Sequence, residues 1–291
     1  MTGVSTLAPQ LRRVRAPNAS PLTGTGTNTY VLGDDRLVII DPGPDLDSHL
    51  ATLRATIAAA TVAAILVTHA HLDHSALAPR LARLTQAPIL AFGPAHSGQS
   101  PTMQRLAAQG LTGDEGADLR FHPDETLRDG AVLQLGGMQI VALHTPGHMG
   151  CHLCYALGET LFSGDHVMGW STTLVSPPDG DMTDYMGSLA RLSRHKWQRF
   201  FPGHGEPIDD PAQRLADLTQ HRRAREAAIL AALTQGPATP ASLAARIYHD
   251  TPSALIQAAT RNVLAHLIDL TQRGLTHPDT ETLTTARFHR S

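Results

Sequence analysis

Through the larger, N-terminal part of the chain, short apolar runs alternate with breaks rich in glycine, proline and aspartate, and the period of each run predicts its element. Asn28 to Gly33 and Arg36 to Pro44 read as two strands joined by a Gly-Asp-Asp turn, the second closed by Asp41-Pro42-Gly43-Pro44. Leu50, Leu53 and Ile57 recur at helical spacing and predict a helix over Leu46 to Ala59. Ala63 to His69 reads as a buried strand ending on the first of several histidines. A helix is then predicted from Asp73 to Leu84, with a strand over Pro88 to Phe92. Residues 95–123 hold few apolar anchors and read as an irregular excursion near the active face. Two hairpins follow, one turning at Gly136-Gly137 and one at Gly158-Glu159. A helix over Asp184 to His195 and a short strand broken at Pro202-Gly203 complete this part.

After Pro211 the pattern becomes alanine-rich and helical, with a long helix to about Leu233, two more over Ala241 to Tyr248 and Ser253 to Arg273, and a weakly patterned Thr280 to Phe288 segment. Three helices and then a small hairpin is the winged-helix order. No internal repeat or low-complexity tract interrupts the chain.

Length and composition narrow the classes. The 291 residues suit one main domain of about 200 residues with an appendage. No run approaches the roughly 20 apolar residues of a membrane span. The arginines near the start have no apolar run behind them, so no secretory signal is read and a cytoplasmic location is the default expectation. A formal net charge of −3 and a single lysine, Lys196, exclude nucleic-acid binding by bulk charge. Arginine strips at Arg191, Arg194, Lys196, Arg199 and at Arg222, Arg223, Arg225 leave a local phosphate contact open. Cys151 and Cys154 lie in what reads as a strand, where residues three apart point to opposite faces, so they are read as packing thiols and not as a redox or metal pair.

Histidine is the residue type that changes the picture. His69, His71, Asp73 and His74 fall where a buried strand gives way to a helix, so four ionisable side chains emerge within a few ångströms of backbone. Imidazole and carboxylate are the donors that borderline metals prefer, and desolvating such a cluster without a cation would be costly. His148, Asp165 and His204 each follow an apolar strand at a glycine-containing turn, the arrangement that carries a side chain to the mouth of a sheet.

With these residues in place the sequence resembles the metallo-β-lactamase superfamily, in which HxHxDH is followed by single His, Asp and His ligands on later strand ends. The resemblance runs over residues 20–210 and includes the Asp-Pro-Gly turn at Asp41. It implies a four-layer αββα sandwich of the α/β (α+β) class, with a small, mainly helical, winged-helix-like C-terminal domain. The expected boundaries are a catalytic domain at 1–215 and the appended domain at 216–291. By motif, His69, His71 and His148 would bind a first metal, Asp73, His74 and His204 a second, and Asp165 would bridge them. The expected cofactors are two zinc ions, with iron or manganese open. Two cations sharing a water would lower its pKa and supply a bridging hydroxide, which Asp73 would help to orient. Asp41 is placed behind the ligands, holding their loop or capping its own turn, and His144 is expected to support the His148 turn. His166 is read as a bystander or a proton donor; His49, His96, His122, His195, His221 and the histidines of the tail are read as surface residues.

The tract from Gly164 to Leu189 and the helical tail resemble the lactamase-β-2-like branch, which includes a single-strand endoribonuclease. The first functional expectation is therefore a phosphodiesterase on single-stranded RNA, and the alternative a thioester or lactone hydrolase of the glyoxalase II type. β-Lactam hydrolysis and persulfide dioxygenation rank below both. The Ser253 to Arg273 helix is dominated by Ala, Leu, Ile and Val, which argues against sequence-specific DNA reading and for a packing role, over the active site or in a homodimer.

Overall fold

The computed structural model describes residues 3–113, 116–249 and 252–291. β1 (Val4–Ala8), β2 (Leu11–Arg15), β3 (Asn28–Leu32) and β4 (Arg36–Ile40) pair antiparallel in sequence order. α1 (Asp47–Ile57) crosses over to β5 (Thr61–Leu66), which lies parallel to β4. After α2 (Leu72–Ser75) and α3 (Ala78–Thr85), β6 (Ile89–Ala91) continues the sheet; α4 (Pro101–Ala108) precedes β7 (Glu125–Thr126) at its far edge. A second sheet holds β8 (Val132–Leu135), β9 (Met138–His144), β10 (Leu153–Leu157) and β11 (Thr160–Gly164) as an antiparallel run. α5 (Met182–Leu192) then leads to β12 (Arg199–Pro202), parallel to β11. The chain ends in α6 (Pro211–Leu233), α7 (Pro240–Ile247), a single 3₁₀ turn at Ser253–Leu255, α8 (Ile256–Gln272) and a two-stranded hairpin of β13 (Thr276–Pro278) and β14 (Phe288–Arg290).

Alternation along the strands sorts the apolar side chains into layers. Tyr30, Leu32, Val38, Ile40 and Leu66 of the first sheet meet Ile140, Leu153, Tyr155, Phe162 and Phe201 of the second. On the outer face of the first sheet Val31, Ile39 and Ile65 pack on Leu53 of α1 and Leu81 of α3. On the outer face of the second, Cys154, Leu161 and Phe200 pack on Leu189 and Leu192 of α5 and Leu215 and Leu218 of α6. This is the expected αββα sandwich. A separate core joins Ile229 and Leu233 of α6 with Leu243, Val263, Leu267 and Phe288, so α6 serves two cores.

Several elements depart from the pattern reading. β1 and β2 were hidden by arginines: Arg13 and Arg15 both pair with Glu206, and Arg12 donates to Thr56 O, so strand side chains that look like surface are held by partners. The helix expected from Asp73 is broken after Ser75, because Gly43 N–H donates to His74 O and Leu77 N–H donates to Gly43 O. The excursion at 95–123 contains α4, capped by Ser100 accepting from Met103 N–H, and its Met103 and Leu106 belong to the C-terminal core. Cys151 and Cys154 are free and buried, and burial pushes both thiols up to about 12.

Two histidines read as surface residues are buried. His49 lies in α1 with its Nε2 2.9 Å from Thr29 Oγ1, and His266 lies inside α8. Burial lowers His49 to about 4 and His266 to about 3. For His49 the unfolded chain, with an ordinary value of 6.5, takes up a proton that the folded chain refuses. Stability is therefore full above pH 6.5 and falls as pH drops towards about 4. The expected slope is on the order of 1 kcal/mol per pH unit from this group. Thermal melts of the metal-free protein at several pH values between these limits should show a flatter acid loss in His49→Gln; an unchanged slope would remove His49 from the account.

Candidate metal centre

Parallel pairing fixes where the candidate ligands emerge. β5 runs beside β4 in one sheet and β12 beside β11 in the other, so in each sheet the two strands end at the same edge. The two edges are tied by Asn28 N–H donating to Gly203 O and by the Thr27–His204 bridge. His69 follows β5, His71 is the residue preceding α2, and Asp73 and His74 lie within that single turn. His148 comes from the loop after β9, Asp165 directly follows β11, and His204 follows β12. The close approach needs glycine: a Cβ on Gly203 would sit 2.4 Å from Asp165 Oδ1 and 2.6 Å from His74 Cε1.

All seven sequence-predicted ligands converge, in the groups His69–His71–His148 and Asp73–His74–His204, with Asp165 grouped with His69 and His74. His69 Nε2, His71 Nδ1 and His148 Nε2 form a triangle with sides of 2.9, 3.1 and 3.2 Å. Donors about 2.0–2.1 Å from a tetrahedral zinc stand roughly 3.3 Å apart, so the triangle has the size of a cation site. One proton could join one pair of these nitrogens, but three converging lone pairs call for a cation. In the second triad His74 Nε2 lies 3.3 Å from His204 Nε2, and Asp73 Oδ2 lies 3.2 Å from His204 Nε2 and 3.5 Å from His74 Nε2. Asp165 stands between, with Oδ2 3.2 Å from His204 and 3.9 Å from His148, and Oδ1 3.5 Å from His74. Asp165 Oδ1 is buried without a hydrogen-bond partner, as an atom reserved for a cation would be.

Electrostatics differ between the triads. Burial and neighbouring imidazoles hold His69 well below its ordinary value, and burial takes His71 down to about 3 and also lowers His148, so the first triad presents neutral nitrogens. Burial opposes charge on His74 and His204 too, but the carboxylates of Asp73 and Asp165 outweigh it. They raise His74 well above its ordinary value and His204 to about 9. Asp73 and Asp165 are correspondingly held anionic despite their burial.

Surrounding groups aim these rings. Asp41 accepts from Thr68 N–H at 2.7 Å and Thr68 Oγ1 at 2.8 Å, and its Oδ2 lies 2.9 Å from His74 Nδ1. Of the two roles read for Asp41, the geometry matches the one behind the ligand loop. His148 Nδ1 donates to Leu174 O at 2.7 Å, and His204 Nδ1 faces Gly26 O at 3.3 Å. His144 acts on the His148 turn at its far end: Nε2 meets Gly150 O at 2.8 Å while the ring stacks on Phe92. His166 is fully buried, and neither ring nitrogen has a hydrogen-bond partner. Sequence reasoning missed His152, whose ring packs against those of His69 and His148 and whose Nδ1 lies 2.9 Å from Thr145 Oγ1. Its position just before a strand that starts beside the ligands was the available signal.

Above the triads lies a cleft of about 500 Å³. His71, Asp73, His148, Asp165 and His204 form its floor; Leu22, Met168, Leu174, Tyr248, Leu255, Ala258 and Ala259 line the rest together with the polar Ser20, Thr23, Ser171, Thr172 and Asn262. The α8 helix thus packs over the centre. Among the described residues that line the cleft there is no lysine and no arginine.

Comparison with known proteins matches residues 22–205 to the family model described as metallo-beta-lactamase superfamily and residues 239–281 to that of the beta-lactamase associated winged helix domain. The chain is similar to a beta-lactamase-like protein 2 homolog of Drosophila melanogaster, 32% identical over 93% of this chain and 91% of that protein. It is also similar to an atrochrysone carboxyl ACP thioesterase of Aspergillus fumigatus, 30% identical over 86% of this chain and 77% of that one. Among solved structures, a metallo-beta-lactamase family protein of Thermus thermophilus superposes with a TM-score of 0.78 at 25% identity, covering 98% of this chain and 100% of that one.

If Asp41 sets the orientation of His74, Asp41→Ala should weaken metal binding by about 10–100-fold while His71→Ala removes a donor outright. Equilibrium dialysis with elemental analysis checks this, and an Asp41→Ala protein that binds metal as tightly as the parent would refute it.

Proposed function

Because the chain belongs to the metallo-β-lactamase superfamily of metal-dependent hydrolases, we propose that its cleft hydrolyses thioesters of apolar acyl groups, with His69, His71 and His148 holding one cation, Asp73, His74 and His204 a second, and Asp165 shared. The observation that supports the choice of substrate is the cleft itself, whose lining sets Leu22, Met168, Leu174, Leu255, Ala258 and Ala259 beside the uncharged Ser20, Thr23, Ser171, Thr172 and Asn262 and carries no cationic side chain among the described residues. A polynucleotide needs such cations along its backbone. Four of the arginines that sequence reading set aside for that role are already engaged. Arg222 is buried, Arg225 lies over the Tyr248 ring, Arg191 pairs with Asp129 and Arg199 with Asp209. Glutathione, with its two carboxylates, finds no anchor there either. A relative that bears the name ACP thioesterase supports the same reading.

The residues fit this chemistry. Two bound cations lower the pKa of water and polarise the carbonyl under attack. Asp73, held anionic and partly open to the cleft, would orient the attacking water. A thiolate leaves with an ordinary thiol pKa of about 8.5 and needs no proton donor, whereas the alkoxide leaving group of a phosphodiester does. The lining offers neither lysine nor arginine for that task, and its other ionisable members are the candidate ligands and the Tyr248 phenol. Leu22, Leu255 and the small Ala258 and Ala259 leave room for the acyl chain beside the carbonyl.

With metal restored after chelation, the protein should hydrolyse decanoyl-N-acetylcysteamine faster than S-lactoylglutathione and leave labelled single-stranded RNA intact. Asp73→Ala should lower kcat by about 10²–10⁴-fold. Metal-dependent cleavage of the RNA together with inert thioesters would reverse the assignment. Ala258→Phe should raise KM for the decanoyl substrate and spare the acetyl one, read by steady-state kinetics on both.

A further inference from the structure

A buried arginine with no carboxylate beside it is costly, because the charge leaves water without an ion-pair partner. Arg222 of α6 is 1% exposed, and among the described residues it meets no carboxylate within ion-pair distance. Its charge is met by neutral groups: Nη2 donates to Thr173 O, Nη1 donates to Asn262 Oδ1 at 3.1 Å, and the guanidinium lies 5.0 Å from the centre of the Tyr185 ring. Asn262 of α8 uses the same oxygen to accept from Val175 N–H at 3.1 Å. The segment 173–175 is therefore gripped at both ends from the C-terminal helices.

That segment touches two candidate ligands. Leu174 O accepts from His148 Nδ1 at 2.7 Å, which leaves Nε2 of the ring free to face His69 and His71. Thr173 Oγ1 donates to Asp165 O at 2.6 Å and to His166 O at 3.0 Å, fixing the backbone that carries the shared carboxylate. Tyr185, under the guanidinium, donates to His166 O at 3.2 Å, so the same backbone is held from α5 as well.

We propose that Arg222 and Asn262 are positioning residues of the metal centre: through the 173–175 segment, the C-terminal helices set the orientation of His148 and Asp165. The inference rests on the reading of those two side chains as metal ligands. It gives the appended helices a part in building the centre in addition to forming a wall of the cleft.

The full-length protein tests this with cobalt(II), using competition against a chromogenic chelator for affinity and visible absorption for coordination. Arg222→Met and Asn262→Leu should weaken binding by about 10–100-fold and alter the cobalt absorption. Asn262→Asp, which keeps an acceptor for both Val175 N–H and Arg222, should retain the parent's affinity and spectrum, and the exposed Arg223→Ala should change neither. Wild-type affinity and absorption in folded Asn262→Leu would overturn the proposal, and that variant decides the matter if Arg222→Met does not fold. Failure of the parent protein to take up cobalt would instead overturn the ligand reading beneath it.

Discussion

Donor atoms of seven side chains face one another at distances that could hold a cation, and the architecture around them is arranged to hold that contact. Imidazoles and carboxylates brought this close in a desolvated place repel or compete for protons unless a charge sits among them. The two sheets supply the rigidity: strands β4, β5, β11 and β12 end on one edge, and the β3–β12 link closes it. Glycine at 203 lets backbone pass where a side chain could not. Asp41 shows the same economy, since one carboxylate holds both the strand end at Thr68 and the ring of His74.

What was legible in the sequence follows from the range of the interactions. His69, His71, Asp73 and His74 lie within six residues, so their convergence is written in local spacing. His148, Asp165 and His204 announced themselves by apolar runs ending at glycine turns. The sandwich could be read because each of its main strands carries an uninterrupted apolar run. Where a partner far along the chain satisfies a polar side chain, the signal vanished. Arg13 and Arg15 looked like surface because Glu206 is almost two hundred residues away, as the 193-residue separation of the Arg13 pair records. His49 looked like surface because histidine near the polar start of a helix gives no sign of burial, whereas His266 sits in the apolar run of α8, and that run was the signal. Arg222, within a string of arginines, offered nothing to separate the buried one from its exposed neighbour Arg223.

The C-terminal helices were the ambiguous part, since a winged-helix order suggests nucleic acid while the apolar face of α8 suggests packing. The structure turns that face inward: Leu255, Ala258 and Ala259 line the same cleft as Leu22 and Leu174. A module whose recognition helix is spent on a cleft wall has little left to present to a groove. On the proposed reading the same floor would serve phosphorus or carbon, and the lining above it would carry the selectivity.

The sharing of elements between cores has a further consequence, for synthesis on the ribosome. Met103 and Leu106 of α4 belong to a core whose other members, from Ile229 to Phe288, are made last. Until those residues emerge, the apolar face of α4 has nowhere to go, and closing so long a loop is slow. The nascent sandwich therefore carries a sticky helix through most of its translation, a stretch for chaperones to cover, and the late arrival of the tail completes the first domain as well as the second.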